Sequence, residues 1–537
     1  MPKSAVAAVL ILPSALIGYA STLSERAASE LDHVIRPPEA NGGLHWNTHS
    51  EWFTYPPSLP FAPVEGASSY RISVIDDVGG RWTLVSSRPD EPLTNVWPKM
   101  ATGYFDVCCR AFDAKGAAVG GVQANRWWKL APFRPGAYPA AARSYAESAA
   151  KIYEYVFNMP ATRRFLRTGR PDPEYQLNSY PTKMHSGLIK AMVRYAKAVP
   201  AHAEDAMKVA RNAADYLISI SEGEGRPLAG FPPTYEANEE YRKCKAGKYA
   251  GQTMLTYPQE AGSAYLELYE ASGEAKYLSA ARAIADRYLA LQGADGTWPL
   301  KLYLKDGSPV VPNRCLPLDI IGFLESLNDV TKDDRYRAAA DRAYAYVENG
   351  PVRNWNWEGQ FEDVDPTARY HNLTEHPACS TAIYLLKRFP GDAEKLALAR
   401  ELVRFAEDQF VCWERPCHAD GSGIRTGDPR YDQGSSVQRY LSWLVFPCVT
   451  EQYNWNIPVD ASCSKVIRTY LALYRATKDP LDLAKAKALG DALTRAQQPE
   501  GRIPTQMAEY NRVDPGEDWT NCMIWGAVAL EELAAAE

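Results

Sequence analysis

The chain has 537 residues, 46 % of them hydrophobic and 11 % aromatic, enough to bury a large core and to hold more than one domain. Its 59 basic and 65 acidic side chains give a formal charge of −6, and without a long basic run this excludes the electrostatic footprint of a nucleic-acid binder. No segment reaches the roughly 18 apolar residues of a membrane span.

At the start, Met1-Pro-Lys3 precedes the apolar run Ala5–Leu12 and a small-residue exit at Gly18-Tyr-Ala20. That order reads as a secretory signal over residues 1–20. Export to the periplasm or the medium is expected, and a cytoplasmic location if the segment is instead a mature helix. Between residues 41 and 133 the hydrophobic period becomes two: Tyr70, Ile72 and Val74 alternate with polar neighbours, and Asp76-Asp-Val-Gly-Gly80 turns the chain into Arg81–Val85. Short strands separated by turns read as a small β-sandwich. The stretch Phe61–Ile72 resembles the opening of fibronectin type III-like modules that precede helical barrels in polysaccharide-degrading enzymes. It carries no nucleophile or acid pair, so a docking or structural role is expected, with Ala131–Gly136 as its boundary.

From residue 138 to 537 nearly all-apolar helical stretches alternate with amphipathic ones. The apolar stretches begin near Ser186, Gly262, Leu318, Pro377, Ser462 and Thr520, and the amphipathic ones near Tyr138, His202, Ala275, Asp334, Asp392 and Leu481. A helix apolar all round is buried on all sides, whereas a one-sided helix is wet on its polar face. Returns from apolar to amphipathic stretches are only a few residues long, as at Pro390-Gly391, so neighbours are antiparallel and all six long connections leave the same end. This pattern predicts a helical toroid with one functional face. Two long connections repeat a theme, Gln292–Trp298 and Gln498–Ile503, each a glycine turn just past an outer helix.

Aromatic residues crowd the long connections, among them Trp298, Trp355, Trp357, Tyr370 and Trp519, and are expected to offer ring faces to sugars. The densest connection, Asn354–Asp365 followed by Tyr370–His376, carries Glu358, Glu362, Asp363 and Glu375 with His371 and His376. Glycoside hydrolysis needs two carboxyl groups, one kept protonated by its surroundings, and these acids could supply them. Loop capping is the competing role for all four. Lys183 and His185 stand at the mouth of the first inner helix, Glu260 at the second and Asp518 at the last. The cations Arg242, Lys243, Lys245, Lys248, Lys301, Lys305 and Arg314 in two long loops point to an anionic ligand. The ten cysteines lack paired zinc spacing, so no metal or cofactor is expected, and one or two disulfides are compatible with export. Asn372-Leu-Thr374 matches a glycosylation sequon.

The helix count, the N-terminal module and the stretch from Asn356-Trp-Glu358 through His371–Pro377 resemble the (α/α)6-barrel carbohydrate-active enzymes. The nearest flavour is the uronic-acid-acting group, β-glucuronidases of the glycoside hydrolase family 154 type and unsaturated glucuronyl hydrolases. That resemblance implies a glycosidase removing a terminal uronic acid from an oligo- or polysaccharide. One of Glu362 and Asp363 would act with Glu260 or Glu375, while His376, Lys183, His185 and Arg314 would hold the substrate. A lyase using Tyr370-His371-Asn372, a uronyl epimerase and a glycan-binding protein without turnover are the rival expectations.

Overall fold

The computed structural model describes residues 22–34, 50, 52–236, 245–416, 443–453, 455–513 and 518–537. The candidate signal at 1–20, and Arg242 and Lys243, lie outside the described residues.

Helix α1 (Leu23–Glu30) is opened by a capping box in which Thr22 and Glu25 satisfy each other's backbone N–H. Strands β1 (Trp52–Phe53), β2 (Ser69–Asp76), β3 (Arg81–Ser86), β4 (Gly103–Phe112) and β5 (Ala118–Lys129) form one sheet in the order β1-β5-β4-β2-β3. The alternation read from the sequence is real: Tyr70, Ile72 and Val74 are buried, and Ile72 and Val74 face Cys109 and Val107 across the β2–β4 ladder. Among the described residues no second sheet faces this one, so the expected sandwich is replaced by a single layer. Its apolar face is covered by Trp97, whose ring meets Phe105 edge-on at 5.5 Å and whose carbonyl accepts a 2.6 Å bond from Lys129 Nζ.

The remaining helices are α2 (Tyr145–Asn158), α3 (Pro160–Thr168), α4 (Pro181–Ala198), α5 (Ala203–Ser219), α6 (Pro258–Ser272), α7 (Ala275–Leu291), α8 (Leu318–Thr331), α9 (Asp334–Asn349), α10 (Pro351–Asn354), α11 (His376–Arg388), α12 (Ala393–Phe410), α13 (Asp460–Thr477), α14 (Pro480–Ala496), α15 (Glu509–Val513) and α16 (Thr520–Ala534). The inner members α4, α6, α8, α11, α13 and α16 touch one another in that order, and α16 returns to α4. Each of the first five carries the next outer helix on its back, and α16 takes α2. The ring is therefore closed by its last helix against its first. Among the described residues no helix is long and apolar enough to cross a membrane.

Helices α4 and α6 begin at Pro181 and Pro258, a full turn before the apolar pattern begins. Proline's fixed φ and missing N–H suit the first helical position, so Lys183, His185 and Glu260 belong to helices and not to loops. Helix α2 starts at Tyr145 behind its Ser144 cap, later than the Tyr138 expected. Short strands stitch the long connections: β6 (Gln252–Met254) with β7 (Lys301–Tyr303), and β8 (Val411–Cys412), β9 (Cys448–Gln452) and β10 (Trp455–Pro458) in the order β10-β9-β8.

The repeated glycine turn has one structural job, with Gln497 and not Gln498 the counterpart of Gln292. Gln292 Nε2 donates to Gly296 O at 2.7 Å and to Ala339 O on α9 at 2.9 Å. Gln497 Nε2 likewise donates to Gly501 O and to Ser148 O on α2, both at 2.9 Å. Gly296 and Gly501 have φ of 88° and 108°, and a side chain on either would strike the backbone of the next outer helix, at Arg342 and Lys151. Only glycine meets both demands.

The sheet is tied to the toroid at the end of α12. Asp408 Oδ1 accepts bonds from Thr54 N and Tyr55 N, each 2.7 Å, and Trp52 Nε1 donates to Gln409 O at 2.7 Å. Beside it Lys485 Nζ bridges Glu407 at 2.7 Å and Glu30 of α1 at 2.5 Å. Burial pushes the Asp408 carboxyl up to about 7.

Candidate active site

Five of the inner helices carry an ionisable side chain in their first turn: Lys183 on α4, Glu260 on α6, Asp319 on α8, His376 on α11 and Asp460 on α13. All five lie at the end of the ring from which the long connections leave. Two polar groupings result.

The first centres on Lys183, whose Nζ lies 2.8 and 3.0 Å from the two oxygens of Glu362. Glu362 is 1 % exposed. Tyr257 Oη donates to its carboxylate, Tyr257 Oη accepts from its N–H at 3.2 Å, and Tyr235 Oη donates to its carbonyl at 2.9 Å. Burial alone would lower the Lys183 pKa, but the Glu362 charge outweighs it and the ammonium is held protonated. Its charge also sits over the Trp519 ring, 4.7 Å from the centroid.

The second grouping joins α8, α11, α13 and α16. His376 Nε2 lies 3.3 Å from Asp319 Oδ2, Ser380 Oγ donates to Asp319 Oδ1 at 3.4 Å, and Lys465 Nζ donates to Ser380 Oγ at 2.9 Å. Trp525 covers this group, 5.6 Å from the His376 ring and 4.5 Å from Lys465 Nζ. Burial would raise Asp319, yet Lys465 and His376 hold its carboxyl well below the usual range. Burial and Lys465 lower His376, with Asp319 opposing, so the imidazole is neutral at pH 7.

Between these groupings stand carboxyls whose proton affinity is raised. Burial raises Glu260 to about 7 against the pull of Lys183 and Lys190, helped by Glu362 and Asp319. Glu260 still reaches solvent. Burial also raises Glu375 to about 7, opposed by bonds from Ser462 and Thr374, and Glu451 to about 8, with Asp363 adding to the rise. Asp460 is raised as well, and its buried Oδ2 has no hydrogen-bond partner among the described residues. Protonated acids beside ionised ones and fixed ammonium groups provide for proton transfer and for holding an anion.

The residues singled out from sequence divide sharply. Lys183, Glu260, Glu362, Glu375, His376 and Trp519 converge here, and Asp363 is exposed on the same loop while acting electrostatically on Tyr180, Tyr235 and Glu451. His185 does not: two residues on from Lys183, its ring turns outward between Phe165 and Tyr216, at 5.1 and 5.4 Å, and burial lowers its pKa to about 3. The groove-lining expectation for Trp298, Trp355, Trp357 and Tyr370 is corrected too, since all four are sealed in the core, packing the loops onto the helices. Trp298 Nε1, for example, donates to Tyr288 O at 2.8 Å. Arg314 is engaged by Asp295 Oδ1 at 2.6 Å and Thr297 O at 3.0 Å, away from this centre.

The trio Tyr370-His371-Asn372 does not act together: His371 is exposed, whereas Tyr370 Oη donates to Asn354 O and Asn372 Nδ2 to Gln452 Oε1 at 2.7 Å. Burial of Asn372 also removes the sequon from glycosylation. Asp518 is a structural partner of Arg502 at 2.6 Å. The described cysteines are free thiols, and no metal-binding cluster occurs among the described residues.

Sequence reasoning missed Asp319, Lys465, Glu451, Lys190 and Trp525. Lys190 and Lys465 carried the available signal: a lysine inside an apolar buried helix requires a polar cavity to receive it. Asp319 could have been found by aligning the six inner-helix starts, where charge recurs in the first turn.

No protein-family model and no curated protein matches the sequence. Among solved structures, D-mannose isomerase superposes with a TM-score of 0.50 at 13 % identity, over 75 % of this chain and 100 % of that one. A family 76 glycoside hydrolase from a bovine Bacteroides thetaiotaomicron strain gives 0.47 at 12 % identity, over 88 % and 95 %. An unsaturated glucuronyl hydrolase specific for heparin gives 0.42 at 10 % identity, over 73 % and 98 %. At such identity the likeness to the isomerase is one of fold, and with the closed ring of alternating helices the chain has an (α/α)6 toroid.

Proposed function

We propose that the chain is a carbohydrate-processing enzyme that takes the terminal uronic acid of an oligo- or polysaccharide into the loop end of the toroid and hydrolyses its glycosidic bond. The observation that carries this reading is Glu260, a carboxyl raised to about 7 that still reaches solvent beside an ammonium group. A general acid for the leaving oxygen needs that pairing of retained proton and access. Asp363, exposed on the loop that carries Glu362, serves as base or nucleophile. Glu362, already engaged by Lys183 and Tyr257, positions the ammonium that receives the uronate carboxylate. Trp519 offers its ring to the sugar.

The test is product mass from uronic-acid oligosaccharides incubated with the wild type, Glu260→Gln and Asp363→Asn. Free uronic acid with one added water is expected from the wild type, and a loss of about 10²- to 10⁴-fold in each variant. Full activity in both variants would sink the assignment.

A second reading has its own support. The neutral His376, oriented by Asp319 and covered by Trp525, suits abstraction of a proton from carbon, as epimerisation or β-elimination requires. Solvent deuterium entering the sugar without chain cleavage, or an unsaturated product, lost in His376→Asn, would favour it over hydrolysis. Saturable binding with no product of either kind would leave a glycan-binding protein.

A further inference from the structure

Outside the ring lies a cleft of about 360 Å³, walled by the connection before α8, the end of α9 and the loop before α11. Its volume is in the range of small-ligand sites. The walls are polar: Asn313, Asn356, Glu358, Arg314 and Arg369 line it together with Tyr346. The Glu358 oxygens are already engaged, by Asn313 Nδ2 at 3.3 Å and Gln360 Nε2 at 2.9 Å. Arg314 Nε is buried with no hydrogen-bond partner among the described residues, and Arg369 is exposed. Arg314 is already paired with Asp295 at 2.6 Å, so the donor capacity left to the cleft is the Arg314 Nε–H and the Arg369 guanidinium, with a tyrosine face beside them. The wall loop also holds Trp355 and Tyr370 at φ of 56° and 67°. Trp355 is the left-handed C-cap of α10, and both rings are buried behind the wall.

We propose that this cleft is a second saccharide-binding site, taking a carboxylated sugar unit of the same glycan whose end enters the toroid. The choice of ligand class rests on the preceding reading. Glu358 on the cleft side and Glu362 on the toroid side are four residues apart, so their Cα atoms are separated by at most about 14 Å. A short oligosaccharide can span that distance. Gln360 stands between the two, donating to Glu358 and to Arg314 O at 2.7 Å and accepting from Leu316 N at 2.9 Å, so the partition is rigid.

The experiment is hydrogen-exchange mass spectrometry of the full chain with millimolar free glucuronate or glucose. Protection of the peptides spanning 313–316 and 354–369 by glucuronate and not by glucose is expected. Arg369→Met should weaken that protection about ten-fold in concentration, the loss of one charge-assisted contact, and Arg369→Lys should recover part of it. Glu260→Gln should leave it in place. Protection confined to peptides around 183, 260 and 465, equal protection by glucose, or an unchanged midpoint in Arg369→Met would overturn the proposal. Cleft protection in a chain that turns over no glycan would sink the enzymatic reading alone, and turnover without cleft protection would sink the second site alone.

Discussion

The two ends of the toroid carry similar charges and treat them in opposite ways. At the end away from the long connections, arginines of the inner helices, themselves partly exposed, meet carboxylates of their neighbours, of which only Glu325 among those named is buried. Arg194 reaches Glu531 at 3.0 Å, Arg468 reaches Glu532 at 2.8 Å, and Arg388 approaches Glu325 at 3.6 Å. These pairs join α4 to α16, α13 to α16 and α11 to α8, and they clasp the ring. At the loop end Glu260, Glu375, Glu451 and Asp460 are desolvated beyond what their partners compensate, and their pKa values rise. A fold under selection for stability alone would fill that end with apolar side chains, because buried charge is expensive even when paired. The cost marks that end as the candidate site.

The sharpest way to break this contrast is Lys183→Met. It strands the buried Glu362 carboxylate and should destabilise the protein by about 3–5 kcal/mol as well as abolish turnover. Adding Glu362→Gln should return much of the stability in denaturant titration and none of the activity. If the single variant unfolds no more easily than wild type, the ion pair is not the anchor described.

Next in size is the pH dependence. In the folded protein the pKa of Glu260 and of Glu375 is about 7 and that of Glu451 about 8, against an ordinary glutamate value of 4.5. Between those limits the folded state binds more protons than the unfolded one, so stability should fall as pH rises from about 5 to 8 and be greatest on the acid side of that window. Thermal melts across the window should show this slope, and the triple glutamine variant should flatten it. Activity that depends on protonated Glu260 should likewise decline above pH 7. An activity that rises steadily to pH 9 would contradict the acid role.

Smallest is the clasp. Arg194→Met removes a half-exposed pair with Glu531 and should cost at most about 1 kcal/mol, with KM and kcat unchanged. A large loss of activity there would erase the distinction between the two ends.

Much of the architecture was legible because helices buried on all sides and helices wet on one side differ in period and composition, as Thr520–Leu530 and Ala275–Leu291 do. The rotation of a helix was not. Lys183 and His185 are two residues apart, which places them on different faces of a turn, and only the true start at Pro181 tells which faces the centre. Tryptophans in loops were similarly ambiguous: Trp355, Trp357 and Trp298 have the composition of a sugar-binding rim and the burial of a core. Charge was the better guide, since a carboxyl or an ammonium in an apolar helix has few places to go. Strands β2 and β3 were legible from period two, whereas β1 and β5 were not singled out, and the period says nothing about what covers the apolar face.

Helix α16 packs between α13 and α4 with α2 on its back, and it brings Trp525 and Cys522 to the centre. During synthesis the eleven other helices of the ring can pair side by side as an open horseshoe, and this keystone must leave the ribosome before the enclosed centre exists. Any product truncated ahead of Thr520 therefore exposes the apolar flanks of α4 and α13. Quality-control machinery would meet it as an aggregation-prone crescent and not as a loosened native ring.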